Sequence, residues 1–402
     1  MKDKLAIHGG PSVRGESIGP WPYYADDEIQ AVTDVLRSGR VNYWTSDVVE
    51  NFETAYASYV GVKYAVAVSN GTLALELGLR SLGLGSGDEV IVTSRTFVAS
   101  ASSIVTVGAR PVFADVDASS QNITAKSIES VITDKTRAIM LVHLAGWPCE
   151  FYEIQELAGR YKLKLIEDCA QAHGATYHGR PVGSFGDVAA FSFCQDKIIT
   201  TGGEGGMLTT NSREIWQYAW SYKDHGKDYD STRLRQSVGF QRVHHSFGSN
   251  WRLTAIQAAI GLKQLDKLDV WQSIRERNAT ILNEGLRDLA MLRITIPPTY
   301  IRHAYYKYYV FLRPEHLKKG WSRDKVVAAI QAEGVSCFTG SCSEVYLERA
   351  FQASGLAPDR RLPVAKELGE TSMMMLVHPT LSESDIQDTI SAVRKVVRFA
   401  EI

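Results

Sequence analysis

Between Asp26 and Ser38 apolar residues recur at helical spacing, with Ile29, Val32, Val35 and Leu36 on one face. Gly39-Arg40 closes this stretch as a glycine cap would. Residues 48–60 repeat the pattern with Phe52, Tyr56 and Tyr59. From Tyr64 the period changes. Short apolar runs at 64–68, 89–92, 111–114, 138–142 and 163–166 alternate with helical stretches at 73–82, 99–107, 125–132 and 150–161. Further strand-like runs follow at 189–193 and 207–210. Strands separated by helices of this length imply right-handed crossovers and a largely parallel sheet covered on both faces. The expected fold class is α/β, doubly wound or close to it.

The flanks read differently. Residues 1–25 are rich in Gly and Pro and carry Trp21-Pro22-Tyr23-Tyr24, an irregular arm that packs its aromatics on the body or on a partner subunit. Residues 212–265 are polar and aromatic, and part of them is expected to be a long functional loop. Thr254 caps a helix over 255–265, and another helix near 270–289 leads into a second unit. That unit holds a strand at 305–312 and helices at 323–333 and 383–399. The expected division is a large domain, 1–265, including the arm, and a small C-terminal α/β domain, 266–402.

Composition narrows the class. The 402 residues are 45% hydrophobic and 22% charged, with a formal net charge of -1. Such a balance is that of a soluble globular protein and argues against a general nucleic-acid binder, which would carry a basic excess. No apolar run reaches the length of a membrane span, and the first residues lack a signal-peptide core, so a cytoplasmic protein is expected. Cys149, Cys169, Cys194, Cys337 and Cys342 are odd in number, scattered and free of any Cys-x-x-Cys pair. They read as buried or incidental thiols, with no zinc site or disulfide framework expected.

Ligand sites in a parallel sheet gather beyond the carboxyl ends of its strands, and three strands end in informative residues. Asn70-Gly71-Thr72 lies between a strand and a helix, as either a phosphate seat or an ordinary turn with an N-cap. Glu167-Asp168 follows another strand, and side-chain alternation lets only one of the two acids face a site. Metal is the weakest use for that acid, because no His/Asp/Glu cluster near it has ligand spacing. Lys197 stands past the third strand, followed by Gly202, Gly203, Gly205 and Gly206 around Glu204. It is either a solvated loop charge or an amine held for Schiff-base chemistry. Those glycines lead into strand-like residues, so they do not form a dinucleotide fingerprint, and no phosphate-loop or Gly-x-Ser-x-Gly motif occurs. A phosphate seat, an acid and a lysine in one domain match what pyridoxal phosphate needs: an anchor, a carboxylate for the ring nitrogen and an amine.

These residues resemble the DegT-type, pyridoxal-phosphate-dependent sugar aminotransferases, which have the aspartate aminotransferase (type I) fold. The likeness runs nearly end to end, through Ser69–Leu75, Gly87–Val92, Val142–Gly146, Glu167–Gly174, Phe191–Lys197, Thr201–Gly206 and Asn250–Thr254. It implies that Lys197 is the Schiff-base lysine and proton shuttle, that Asp168 pairs with the ring nitrogen, and that Gln171 bonds the cofactor's 3′ oxygen. By the same likeness Gly71, Thr72 and Ser192 hold the phosphate and Phe97 stacks on the ring, although Phe97 also suits a core position. Asn250 would reach the phosphate of a neighbouring subunit, which requires a homodimer. Cys194 takes a position beside the substrate where many relatives carry His, Tyr or Gln, so regiochemistry does not carry over directly. The Gly202-Gly203 pair before Glu204 also departs from the commoner Thr-Gly-Glu-Gly-Gly.

The resemblance implies transfer of an amino group from L-glutamate to a nucleotide-linked keto sugar, a 4-keto-6-deoxy hexose first, for amino-sugar and polysaccharide biosynthesis. A 3-keto sugar or a keto-cyclitol is the next acceptor. Some members replace the lysine with histidine and dehydrate their sugar, and the presence of Lys197 favours transamination. No partner nucleic acid or membrane and no metal are expected.

Overall fold

The computed structural model describes residues 4–233 and 242–402. A seven-stranded sheet forms the centre, in the order Tyr64–Val68, Gly206–Thr210, Val188–Ser192, Lys164–Asp168, Thr136–Val142, Glu89–Thr93, Arg110–Ala114. Only Gly206–Thr210 runs against the others, pairing antiparallel with both its neighbours. Every residue of Val188–Ser192 and of Gly206–Thr210 is buried, as expected for strands covered by helices on both faces. The α/β expectation holds, and most helices lie where the periodicity puts them.

One element differs. The helix that starts under its Thr254 cap does not stop near 265 but runs unbroken as Ala255–Leu286, through the expected domain division. Residues 262–284 contain neither glycine nor proline, so nothing in that stretch forces an end. The apolar face turns instead. Leu268 packs in the cluster around the large sheet, whereas Ala279, Leu282 and Leu286 join a second cluster.

That second cluster belongs to a four-stranded antiparallel sheet, ordered Leu292–Ile294, Tyr308–Leu312, Ser372–Met375, Cys337–Phe338, and to the helices Arg323–Ala332 and Glu383–Ala400. Strand alternation in Tyr308–Leu312 joins the two cores. Tyr308, Val310 and Leu312 enter the second cluster, while Tyr309 and Phe311 face the first. The strand expected over 305–312 begins only at Tyr308, since Tyr305 adopts a left-handed backbone (φ 46°). The amino-terminal arm packs on its own chain through Trp21, which lies edge-on to Trp271 and donates its indole N–H to the Lys197 carbonyl at 2.9 Å. Part of the loop expected within 212–265 lies outside the described residues.

Candidate active site

A cavity of about 1600 Å³ opens at the carboxyl ends of the parallel strands and is closed on one side by the four-stranded unit. Gly71, Thr72, Phe97, Asp168, Gln171, Ser192, Cys194 and Lys197 all line it. The three strand ends singled out from the sequence therefore converge.

The phosphate seat is built by close packing. Helix Gly71–Ser81 is capped by the Asn70 side chain, which accepts from the Leu73 N–H at 2.9 Å. The N–H groups of Gly71 and Thr72, in the first turn, have no intrahelical acceptor and sit at the positive end of the helix. A Cβ at position 71 would lie 2.6 Å from the Ser192 Cβ, and one at Gly206 would lie 2.3 Å from the Asn70 carbonyl oxygen. Only glycine lets the strand bearing Ser192 come this near the helix end. The converging hydroxyl and N–H groups fit an anion.

The acids separate as alternation requires. Asp168 accepts from the Ser100 hydroxyl at 2.7 Å and from the Ala170 N–H at 3.1 Å, and Ser100 in turn bonds the Thr96 hydroxyl at 2.7 Å. These donors hold both carboxylate oxygens in place. Glu167 points the other way, fully buried, and accepts from the N–H groups of Gly183, Phe185 and Gly186 at 2.7–2.8 Å. Its Oε2 also lies 3.2 Å from His143 Nε2. Cys169 brings a third donor atom, all within 4.8 Å, a grouping the sequence conceals because His143 ends a different strand. With backbone donors on both Glu167 oxygens, this grouping is accounted for as a structural anchor.

Lys197 is held by what surrounds it in sequence. Ile198 and Ile199 are fully buried, and the Thr200 hydroxyl and the Thr201 N–H bond back to the Phe193 carbonyl. The Thr200 N–H donates to Gln264 of the long helix at 2.8 Å. The lysine amine lies 5.0 Å from the centre of the Tyr306 ring. Gln171 commits its amide oxygen to the Ala145 N–H at 2.7 Å, which leaves the NH₂ for an oxygen acceptor in the cavity. Phe97 is 64% exposed on the cavity wall, which excludes the core alternative. Burial, with Glu204 nearby, raises the Cys194 thiol above its ordinary value, and its Sγ lies 3.8 Å from Glu204 Oε1. Asn250 is the exception: it is exposed, pairs with the backbone of Asp224, and is not among the cavity's residues.

Sequence reasoning missed several neighbours. His173 underlies the seat, fully buried, with Nε2 on the Ser192 carbonyl at 2.9 Å and Nδ1 on the Tyr56 hydroxyl at 2.7 Å. A carbonyl only accepts, so Nε2 donates and Nδ1 accepts from Tyr56; burial holds the ring neutral, with a pKa near about 3. Asp196, Glu204, Tyr306, Lys307, Tyr309 and Cys342 also line the cavity. Most of these come from the small unit, whose approach no local pattern announces.

An anion seat, a hydrogen-bonded carboxylate and an amine on one wall define an enzyme built for pyridoxal phosphate, and the residues present fit that group. The chain belongs to the DegT/DnrJ/EryC1/StrS aminotransferase family, whose sequence profile matches residues 22–394, and it is a pyridoxal-phosphate-dependent sugar aminotransferase. It is 39% identical to a GDP-perosamine synthase of Caulobacter vibrioides over 88% of this chain and 92% of that one. It is 34% identical to an L-glutamine:2-deoxy-scyllo-inosose aminotransferase of Streptoalloteichus tenebrarius, over 99% and 98% of the two chains. Among solved structures it resembles an aminotransferase from Psychrobacter cryohalolentis, with a TM-score of 0.94, 50% identity, and 95% and 99% of the chains covered.

Proposed function

We propose that the protein transfers the amino group of L-glutamate to a nucleotide-linked keto sugar, a 4-keto-6-deoxy hexose in the first instance, yielding an amino sugar for a polysaccharide or secondary metabolite. The observation that carries this reading is the cavity's size. At about 1600 Å³ it exceeds the roughly 300–1,000 Å³ of an ordinary ligand pocket, which supports a bulky acceptor beside the cofactor. The similarity to a GDP-perosamine synthase supports the same acceptor class.

The bound cofactor supplies an electron sink for the carbanion formed at the reacting carbon. In this reading Gly71, Thr72 and Ser192 bind its phosphate, and Asp168, oriented by Ser100, keeps the proton on its ring nitrogen. Gln171 donates to its 3′ oxygen, and Phe97 covers the ring and excludes water. With the cofactor bound, the Lys197 amine would take the proton from the donor's α-carbon in one half-reaction and give one back to the acceptor's carbon in the other. Cys194 contacts the substrate.

The proposal includes a homodimer in which Asn250 reaches the partner's phosphate, a cytoplasmic location, and a division into units 1–265 and 266–402 joined by the long helix. No helix among the described residues is long and apolar enough to cross a membrane.

A keto-cyclitol acceptor is the second reading, favoured by the near full-length similarity to the scyllo-inosose aminotransferase. Incubating the holoenzyme with glutamate and a panel of keto acceptors, read by mass spectrometry, separates the two. An amino product from a nucleotide sugar supports the first reading, and one from the cyclitol alone replaces it.

A further inference from the structure

Lys307 is a second amine in the cavity, brought there by the small unit. It stands just before the strand Tyr308–Leu312, and both it and Tyr309 line the cavity. Its ammonium lies 4.7 Å from the centre of the Tyr306 ring, the same ring that Lys197 approaches to 5.0 Å. Tyr306 therefore ties the two amines to one end of the cavity.

The side chain is only 14% exposed, yet its ammonium makes no hydrogen bond within 3.5 Å among the described residues. Its nearest acid, Asp196, is 3.8 Å away, and the same Asp196 oxygen already accepts from the Tyr306 hydroxyl. Asp196 lines the cavity with Lys197, whose charge also acts on it. Behind them Arg275 is buried, its Nη1 on the carbonyls of Tyr305 and Tyr306 at 3.3 and 3.4 Å, its Nε and Nη2 without partners among the described residues. The charges of Lys197, Lys307 and Arg275 thus all interact with Asp196. Lys307 has only this long pairing with Asp196, so an arriving anion would supply its ammonium with a hydrogen-bonding partner.

We infer that Lys307 is the residue that receives the carboxylate of the amino donor. This rests on the aminotransferase reading with glutamate as donor. The donor's α-carbon must reach the Lys197 amine, and its α-carboxylate is one bond from that carbon. A sugar nucleotide's diphosphate is instead a whole sugar ring away from the keto carbon that reacts. The anion that accompanies the reacting carbon closely is therefore the donor's.

The two half-reactions of the holoenzyme can be followed separately by the cofactor's absorbance. Lys307→Gln should raise the glutamate concentration needed for the donor half-reaction by about 10- to 100-fold, the worth of one charge-assisted hydrogen bond. The acceptor half-reaction should stay within about twofold, and Lys307→Arg should recover most of the donor affinity. Glutarate, an unreactive dicarboxylate, gives a readout independent of turnover: its binding by calorimetry should weaken in Lys307→Gln by a similar factor. Unchanged glutamate and glutarate affinities would overturn the assignment. So would a loss confined to the acceptor, which would place a phosphate at Lys307, or an equal loss in both halves with a lowered melting temperature. If wild-type protein does not convert glutamate, the donor proposed above fails, and the glutarate measurement still decides whether Lys307 holds a carboxylate.

Discussion

Lys197 and Lys307 share one aromatic ring and differ in their settings: one is fixed by the buried Ile198-Ile199 pair, the other hangs beside a single carboxylate. Only the first is assigned to the chemistry, so Lys197→Ala should lower turnover by at least about a thousandfold while leaving the melting temperature near that of the wild type. The buried histidines make a second prediction at this scale. His173, His303 and His378 are each held neutral, with pKa values near about 3 against an ordinary 6.5, chiefly by burial. Below pH 6.5 the unfolded chain binds protons that the folded chain refuses. Stability is therefore fully present above that pH and falls as pH drops toward 3, by up to about 1.4 kcal/mol per pH unit for each histidine. Chemical denaturation between pH 7 and 5 should show this slope, and His173→Gln should remove about a third of it. Single residues were the least legible part of the sequence. Asp168 over Glu167 follows from alternation, but Ser100 beneath Asp168 and His173 beneath Ser192 are ordinary-looking residues whose roles arise only when separate strands meet.

At the scale of elements, the alternation of strands and helices was readable because each crossover buries a continuous apolar strand between amphipathic helices. Boundaries were less so. The long helix does not read as one piece because its apolar face rotates from the first core to the second between Leu268 and Ala279, which breaks the periodicity that marks a single surface helix. The glycines at the cavity give the test that belongs here. Gly71 meets Ser192 so closely that Gly71→Ala must push the helix end from the strand, at a cost of about 1–3 kcal/mol. Titration of the apoprotein with pyridoxal phosphate should show a loss of affinity larger than the loss of thermal stability. Equal affinity would mean that the helix end does not hold the phosphate.

The whole molecule leaves groups that a single copy does not use. Phe247 is fully exposed and Asn250 lies outside the cavity of its own chain, both on the segment whose Trp251 carbonyl accepts from the Ser69 N–H beside the phosphate seat. An exposed aromatic beside an unused polar residue supports a second copy as the occupant. Light scattering should then give about twice the 44.5 kDa chain mass. Mixing inactive Lys197→Ala protein with Asn250→Ala protein should restore activity, because one site of the hybrid pair regains both residues. No restoration would mean that each site is complete within one chain. The sequence made this legible only through family resemblance, since no local pattern shows which surface a partner covers.

The central claim is that nitrogen moves from glutamate to a nucleotide-linked keto sugar at the cavity shared by Lys197, Asp168 and the Gly71 seat. It is tested most directly by incubating the holoenzyme with ¹⁵N-glutamate and a 4-keto-6-deoxy nucleotide sugar and measuring the sugar's mass. The account predicts a nucleotide amino sugar carrying the label, and no such product from Lys197→Ala protein. A sugar that loses a hydroxyl without gaining nitrogen, or label that passes only to a keto-cyclitol supplied beside it, would contradict it.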